Sequence, residues 1–404
     1  MTGRQVLGRW AVPAVLGLLL LVGLIIRLAV LDAPGHYGDG VVMTRWAENM
    51  AAYGPWGFYR HDGAVYPALL YAYWPLGLLL DGADLARAVK GISIPFDLAL
   101  GLVVFFAARR MVGSARALIA PAIYLLNPAV ILAGPVWGQV DAAGTLAYLG
   151  ALVALASRRF GLAGVLTALA MLLKPQFGLV ALPVGIIAFQ SWRATRSVAP
   201  MVRALVGAAV MYLAVAMPLR LDPVSFVARA VSIAGDKPIT SANAPNLWGV
   251  LVGYKVPDAP YVLIGAGLLL LGLGASLLPL RRRHDLRTIL AVGLFLVLAF
   301  YLLPTRIHER YLFPAIAVLA PLAATSWRVL VAFVLVSVAF ALTMLYALVT
   351  TTEFSIPPPL HDVLVTRTAE VWIGLTLLAT AATLVVLLTW RAGDEAPGTA
   401  VEVT

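Results

Sequence analysis

The chain has no cysteine. A disulfide framework, a thiolate nucleophile and a thiolate metal site are therefore all excluded. Charge is scarce as well: 12% of the 404 residues are Asp, Glu, Lys or Arg, against roughly a quarter in a soluble domain. Lysine is rarer still, confined to Lys90, Lys174, Lys237 and Lys255. No repeat of fixed period and no low-complexity tract is present beyond an Ala/Leu/Val bias. Carboxylates do not cluster at metal-ligand spacing. No cleavable signal peptide is expected, because the first apolar run, from Ala11 to Val30, is long enough to span a bilayer.

Apolar residues fill the space that charge leaves. Hydrophobic residues make up 62% of the chain and mean hydropathy is +0.93, as expected of an all-α polytopic integral membrane protein. Apolar runs lie near 11–31, 88–108, 115–133, 141–156, 161–173, 177–190, 201–218, 260–279, 288–303, 307–325, 327–349 and 369–390. In lipid each must be helical, since the backbone has no water to bond, so about 12 transmembrane helices are expected. The runs 161–173 and 177–190 are short and flank Lys174-Pro175-Gln176. Segment 66–80, with Tyr66, Pro67, Tyr71, Tyr73, Trp74 and Pro75, has the composition of an interfacial belt. One transmembrane domain is expected over 1–392, followed by a disordered cytoplasmic tail over 393–404.

Charge placement sets the expected orientation. With the N-terminus inside, the inner loops hold sixteen arginines, among them Arg281, Arg282 and Arg283, against four acids. That satisfies the positive-inside rule. The net charge of +10 is then a topology signal with a by-product attraction to anionic lipid, and nucleic acid is not an expected partner. Both termini are placed in the cytoplasm of a plasma-membrane protein. The remaining acids, all four lysines and the longer segments 32–87, 219–259 and 350–368 fall outside.

Chemistry-bearing residues concentrate on that outer side. Asp39 lies between Gly38 and Gly40, with no bulk beside it. It reads either as a catalytic carboxylate or as an Asx-turn or N-cap for the helix that follows. In that helix Trp46, Met50 and Tyr53 recur at a spacing suited to lying on a membrane. His308-Glu309-Arg310, with Arg306 just before, reads as a phosphate site or as an interfacial snorkelling cluster. Lys174, at a proline break within membrane depth, needs a partner: a carrier phosphate or Asp141. Lys90 and Asp97 are seven residues apart and share a helix face; Asp97 inside a span is either functional or a packing group. Trp137 and Gln139 suit sugar stacking and hydrogen bonding, and Asp141 rivals Asp39 as a base.

The residues Gly38-Asp39, Trp46, Gly54-Pro55-x-Gly57-Phe58-Tyr59 and Tyr66-Pro67-Ala68 resemble the first outer loop of the GT-C glycosyltransferases. These polytopic enzymes take sugar from a polyprenyl-phosphate carrier. Lys90 and Asp97, Trp137-Gly138-Gln139-Val140-Asp141, Lys174-Pro175-Gln176, Asn246-Leu247-Trp248-Gly249 and His308-Glu309-Arg310-Tyr311 continue the resemblance over most of residues 10–325. Two departures are Tyr66-Pro67-Ala68 for the usual Tyr-Pro-Pro, and Arg310 where many relatives carry lysine. The resemblance is to bacterial relatives of the GPI-anchor mannosyltransferases and the N-glycan glucosyltransferases. It implies an inverting glycosyltransferase working on the extracytoplasmic face, with Asp39 as general base. His308, Glu309, Arg310, Arg306 and Lys174 would hold the donor phosphate. Tyr37, Tyr66, Trp137, Gln139, Asp141, Gln176, Asn246, Trp248 and Tyr311 would line the substrates. It also implies no metal or other cofactor, a polyprenyl-phosphate-linked donor with mannose ahead of glucose or arabinose, and a glycolipid or glycan acceptor. The competing expectation is a transporter or lipid-linked-sugar flippase without transferase activity. Against it stand the lack of a half-to-half repeat and the long first outer loop.

Overall fold

In the computed structural model, residues 3–389 except Val65 are described. The expected tail over 393–404 lies outside them. The described chain is a bundle of α-helices, and its one sheet is a two-residue parallel pairing of Ser241–Ala242 with Ile307–His308. Seven helices among the described residues are long and apolar enough to span a bilayer: 11–29, 82–112, 175–195, 199–216, 262–281, 327–351 and 367–389. The pair 114–125 and 128–136, bent by 44°, is together apolar and long enough for an eighth span.

The remaining apolar runs are shorter helices, and burial explains why. In Leu286–Leu302 every residue but Arg287 and Phe300 is buried, and Phe313–Ala323 is buried throughout. A helix sheathed by other helices has its apolar surface covered by protein, so its length need not match the bilayer. The first helix, Gly3–Ala29, is the opposite case. Leu18, Leu21 and Ile25 are all more than half exposed, as befits a helix at the lipid-facing rim.

Proline sets the breaks. Asn127 precedes Pro128, which disfavours helical backbone at Asn127. The Asn127 side chain then caps the next turn by accepting from the Ala129 N–H at 2.9 Å. A π-turn over Leu132–Val136 follows, and Gly138 takes φ +92° before the helix Asp141–Ala156 begins. Lys174 likewise precedes a proline and is extended, with φ −156° and ψ 128°. The helix Phe160–Leu173 ends there as the sequence predicts. The segment after it runs to Thr195 and is longer than 177–190.

The Asp39 segment is the helix Tyr37–His61, kinked at Gly54 (φ 61°) ahead of Pro55. Trp46 and Met50 are buried against protein, while Tyr53 is exposed. Their spacing is therefore in part a packing stripe and not wholly a lipid-facing one. Pro67–Leu79 forms a 13-residue helix packed on this one, too short to cross a bilayer. Gly77 lets it approach closely: a Cβ there would lie 2.2 Å from the Ala47 carbonyl oxygen.

Candidate active site

The site is assembled where three breaks meet: the start of Tyr37–His61, the turn Trp137–Asp141 and the loop 304–311. Gly35 allows the first two to touch. A Cβ on it would sit 2.5 Å from the Val136 carbonyl, and the next residue, His36, donates its N–H to the Trp137 carbonyl at 3.3 Å. The His36 ring stacks on Trp137 with centroids 4.9 Å apart. Its Nδ1 accepts from the Asp39 N–H at 3.0 Å. His36, at the head of the stretch His36-Tyr37-Gly38-Asp39-Gly40 but given no role by its motif, thus caps the helix that carries Asp39. A histidine three residues ahead of the aspartate was the available signal.

Asp39 is not itself the N-cap. Its Oδ2 accepts from Trp137 Nε1 at 2.9 Å and from Gln139 Nε2 at 2.5 Å. Arg310 Nη1 lies 3.7 Å away and His36 Nδ1 3.5 Å. No hydrogen bond to Oδ1 is found among the described residues, and the side chain stays 26% exposed. Burial alone would raise its pKa. The Arg310 guanidinium, the Trp137 hydrogen bond, His36 and Gln139 outweigh burial and lower it from 3.8 to about 2. One oxygen is thus anchored and the other accepts no hydrogen bond among the described residues, on a carboxylate that is ionised at neutral pH.

Behind Gln139 lies a buried ion pair. Lys174 Nζ donates to Asp141 Oδ1 at 2.6 Å and to Gln139 Oε1 at 3.1 Å. Both charged side chains are almost wholly inaccessible. By occupying Gln139's oxygen, Lys174 turns its amide nitrogen toward Asp39. Of the two partners open to Lys174, the structure supplies Asp141.

The loop 304–311 brings the cation. Arg310 is half-buried, its side chain 11% exposed, and donates to Glu309 Oε1 at 2.9 Å. Burial works against its charge, yet the carboxylates of Asp39 and Glu309 hold its pKa above the ordinary arginine value. Burial raises the Glu309 carboxyl despite Arg310. Burial, then Arg310 and Lys237, push the His308 pKa well below 6.5, leaving the imidazole neutral. Lys237, also passed over in the sequence, therefore lies near enough to act on His308. Arg306 turns to Asp258, with Nε–Oδ2 of 2.7 Å. Tyr66 and Tyr311 complete the wall: Lys174 Nζ is 5.4 Å from the Tyr66 ring and Arg310 is 5.9 Å from that of Tyr311. Burial pushes the Tyr66 phenol up to about 12.

Other residues singled out in the sequence support the loop or stand apart. Asn246 caps Leu247–Leu251 by accepting from the Gly249 N–H, and donates to the Pro304 carbonyl at 3.0 Å. Trp248 Nε1 donates to the Leu303 carbonyl at 2.8 Å. Both fasten the chain just before Arg306. Gln176 sits half-buried in the turn Pro175–Val180. Tyr37 is 83% exposed at the edge of a cavity of about 1060 Å³ that His36 and Trp137 also line. Lys90 and Asp97 belong to helices that part at Ile92. Lys90 binds the Ala33 carbonyl. Asp97 accepts from Arg27 at 3.1 Å and from Tyr124 at 2.9 Å, fully buried. Gly134 of the broken span packs on that carboxylate, so the pair braces the turn that carries Trp137.

No protein-family model matches the sequence, and no curated protein matches it. The apo crystal structure of ArnT from Cupriavidus metallidurans matches the structure with a TM-score of 0.51 at 17% identity, over 92% of this chain and 76% of that one. The crystal structure of the same protein bound to undecaprenyl phosphate gives a TM-score of 0.48 at 17% identity, over 92% and 77%. The likeness is one of fold: the helices of this chain are arranged as in ArnT, the fold of a polytopic membrane protein.

Proposed function

We propose that the chain is an inverting glycosyltransferase that moves a sugar from a polyprenyl-phosphate carrier to a glycolipid or glycan acceptor on the extracytoplasmic face of the plasma membrane. The observation that carries this reading is the Asp39 carboxylate, held at one oxygen by Trp137 and Gln139 with Arg310 at 3.7 Å. An acceptor hydroxyl attacks the anomeric carbon and gives its proton to Asp39 Oδ1. As the new C–O bond forms, the bond from the anomeric carbon to the phosphate oxygen breaks, and polyprenyl phosphate leaves as an anion. Attack opposite the leaving group inverts the anomeric centre. Arg310, the guanidinium beside the base, takes the phosphate charge, and the reaction needs no metal. Mannose is the sugar of first choice from the motif resemblance.

The Arg310–Asp39 contact gives the base a trigger. A carboxylate at about 2 is a weak base. When the donor phosphate engages Arg310, Asp39 loses its strongest opposing charge and its basicity rises. The base is thereby strengthened only when a donor is present.

Transfer of radiolabelled sugar from a polyprenyl-phosphate donor by purified protein tests the reading. Asp39→Asn keeps the shape but cannot accept the proton, and transfer is expected to fall by roughly 10²–10⁴-fold with donor binding retained. Undiminished transfer by Asp39→Asn rules out this base. A wild-type protein that moves the intact donor across a bilayer and transfers nothing is a flippase.

A further inference from the structure

Far from Asp39, at the other end of the same kinked helix, Arg60 meets Arg220 and Arg229 of residues 219–229 around one small cavity. Arg60, Arg220 and Arg229 line a space of about 200 Å³ together with Trp56, Tyr59 and Ser225. Arg229 lies over the Tyr59 ring at 4.7 Å and Arg220 over Trp56 at 5.8 Å. The aromatic faces give the cations partial relief, but no carboxylate lines the cavity. The two acids nearest in sequence are committed elsewhere. Asp222 accepts from Val224, Ser225 and the Ser225 hydroxyl. Asp62 accepts from Arg45 at 2.9 Å and Asn49 at 2.8 Å. None of the three arginines makes an ion pair among the described residues. Arg229 Nε is buried without a hydrogen-bond partner, a costly state for a charged donor.

We infer that this cavity binds a phosphate ester, the headgroup phosphate of an anionic phospholipid. Guanidinium forks match phosphate oxygens bidentately, and an anion here would satisfy Arg229 Nε and the mutual repulsion of three like charges together. The surroundings place the anion at a bilayer surface. Trp56 is 60% exposed, and Val224, Val227 and Val231 project from the adjoining helix Pro223–Gly235, each more than half exposed. These are residues of an interfacial helix. The site is separate from the proposed donor site: Asp39 and Tyr59 are twenty residues apart on one helix, up to roughly 30 Å at 1.5 Å per residue. A headgroup held here would pin the far end of that helix to the membrane.

Phenylglyoxal modification of the full-length protein, followed peptide by peptide, tests the site without any substitution. In nanodiscs of phosphatidylglycerol, Arg220 and Arg229 are expected to react roughly tenfold more slowly than in micelles of a maltoside detergent, which carries no phosphate, while Arg45, paired with Asp62, reacts equally in both. Protection by millimolar inorganic phosphate in those micelles also supports the phosphate site and identifies its source as soluble. Equal reactivity under all three conditions overturns the proposal. In native mass spectrometry the R220Q/R229Q variant is expected to retain one phosphatidylglycerol fewer than wild type, and retention of the same number counts against the site.

Discussion

Asp39 keeps its negative charge where burial opposes it, because two neutral donors and one cation are aimed at a single oxygen. Its pKa lies below the 3.8 of an ordinary aspartate, so its pairing adds stability that is complete above pH 3.8 and is lost as pH falls through about 2. In the free enzyme Asp39 should therefore set no acid limb of kcat/KM above about pH 4. Arg310→Gln removes its main counter-charge, and the residual activity should show an acid limb displaced to higher pH. An unshifted limb separates Arg310 from the base. Asp141 behaves differently, since it is closed off and paired with Lys174 at 2.6 Å. Asp141→Asn leaves a buried ammonium uncompensated and should cost about 3–5 kcal/mol in a thermal unfolding assay. Asp141→Asn/Lys174→Met should recover much of that stability, yet not the Gln139 orientation, so transfer should stay low. If the double variant melts like Asp141→Asn alone, the two side chains are not coupled.

Helix contacts depend on small residues at specific places. A Cβ on Gly164 would lie 1.9 Å from the Ala204 carbonyl oxygen, and one on Gly207 2.2 Å from that of Gly161. Phe160–Leu173 and Ala199–Ala216 thus meet backbone to backbone, as small residues permit in membranes. Gly164→Ala must push them apart and is expected to cost about 1–3 kcal/mol. Gly185, also helical, faces open space, with no atom within 4 Å of where a methyl would stand. Gly185→Ala should therefore be neutral or stabilise by about 0.5–1 kcal/mol. Melting temperatures in one detergent check both, and equal effects refute the close contact. The same helix Phe160–Leu173 delivers Lys174 to Asp141, so loosening it should also lower transfer.

At the scale of the molecule, we propose from the charge asymmetry that the Asp39 end faces outside. The chain has no native thiol, so single cysteines report without background. Cysteines replacing the exposed residues Asp81 and Asp236 should react with an impermeant maleimide from outside intact cells, and one replacing Arg282 only after lysis. Labelling of Arg282→Cys in intact cells reverses the orientation.

Much of this was legible in the chain itself. Long apolar runs and scarce charge dictate membrane helices, because unpaired backbone cannot lie in lipid. Pro175 marks a real break, because the residue before proline resists helical backbone, whereas the break at Pro128 falls inside the run 115–133 that hydropathy reads as one helix. Asp39, Trp137, Gln139, Lys174 and Arg310 could each be named from local pattern. Which of them touch could not. Lys174 had two possible partners, and Arg306 and His308 read as cations equivalent to Arg310. Only the folded chain turns Arg306 to Asp258, holds His308 neutral and leaves Arg310 beside Asp39. Helix count shows the same divide. Hydropathy measures how apolar a run is, but whether it crosses lipid or lies sheathed in protein, as Leu286–Leu302 does, depends on neighbours far along the chain. Local sequence determines where helices start, stop and break through short-range sterics and backbone hydrogen bonding. Pairing of charges across the bundle is a long-range choice, made by the packing that brings those breaks together.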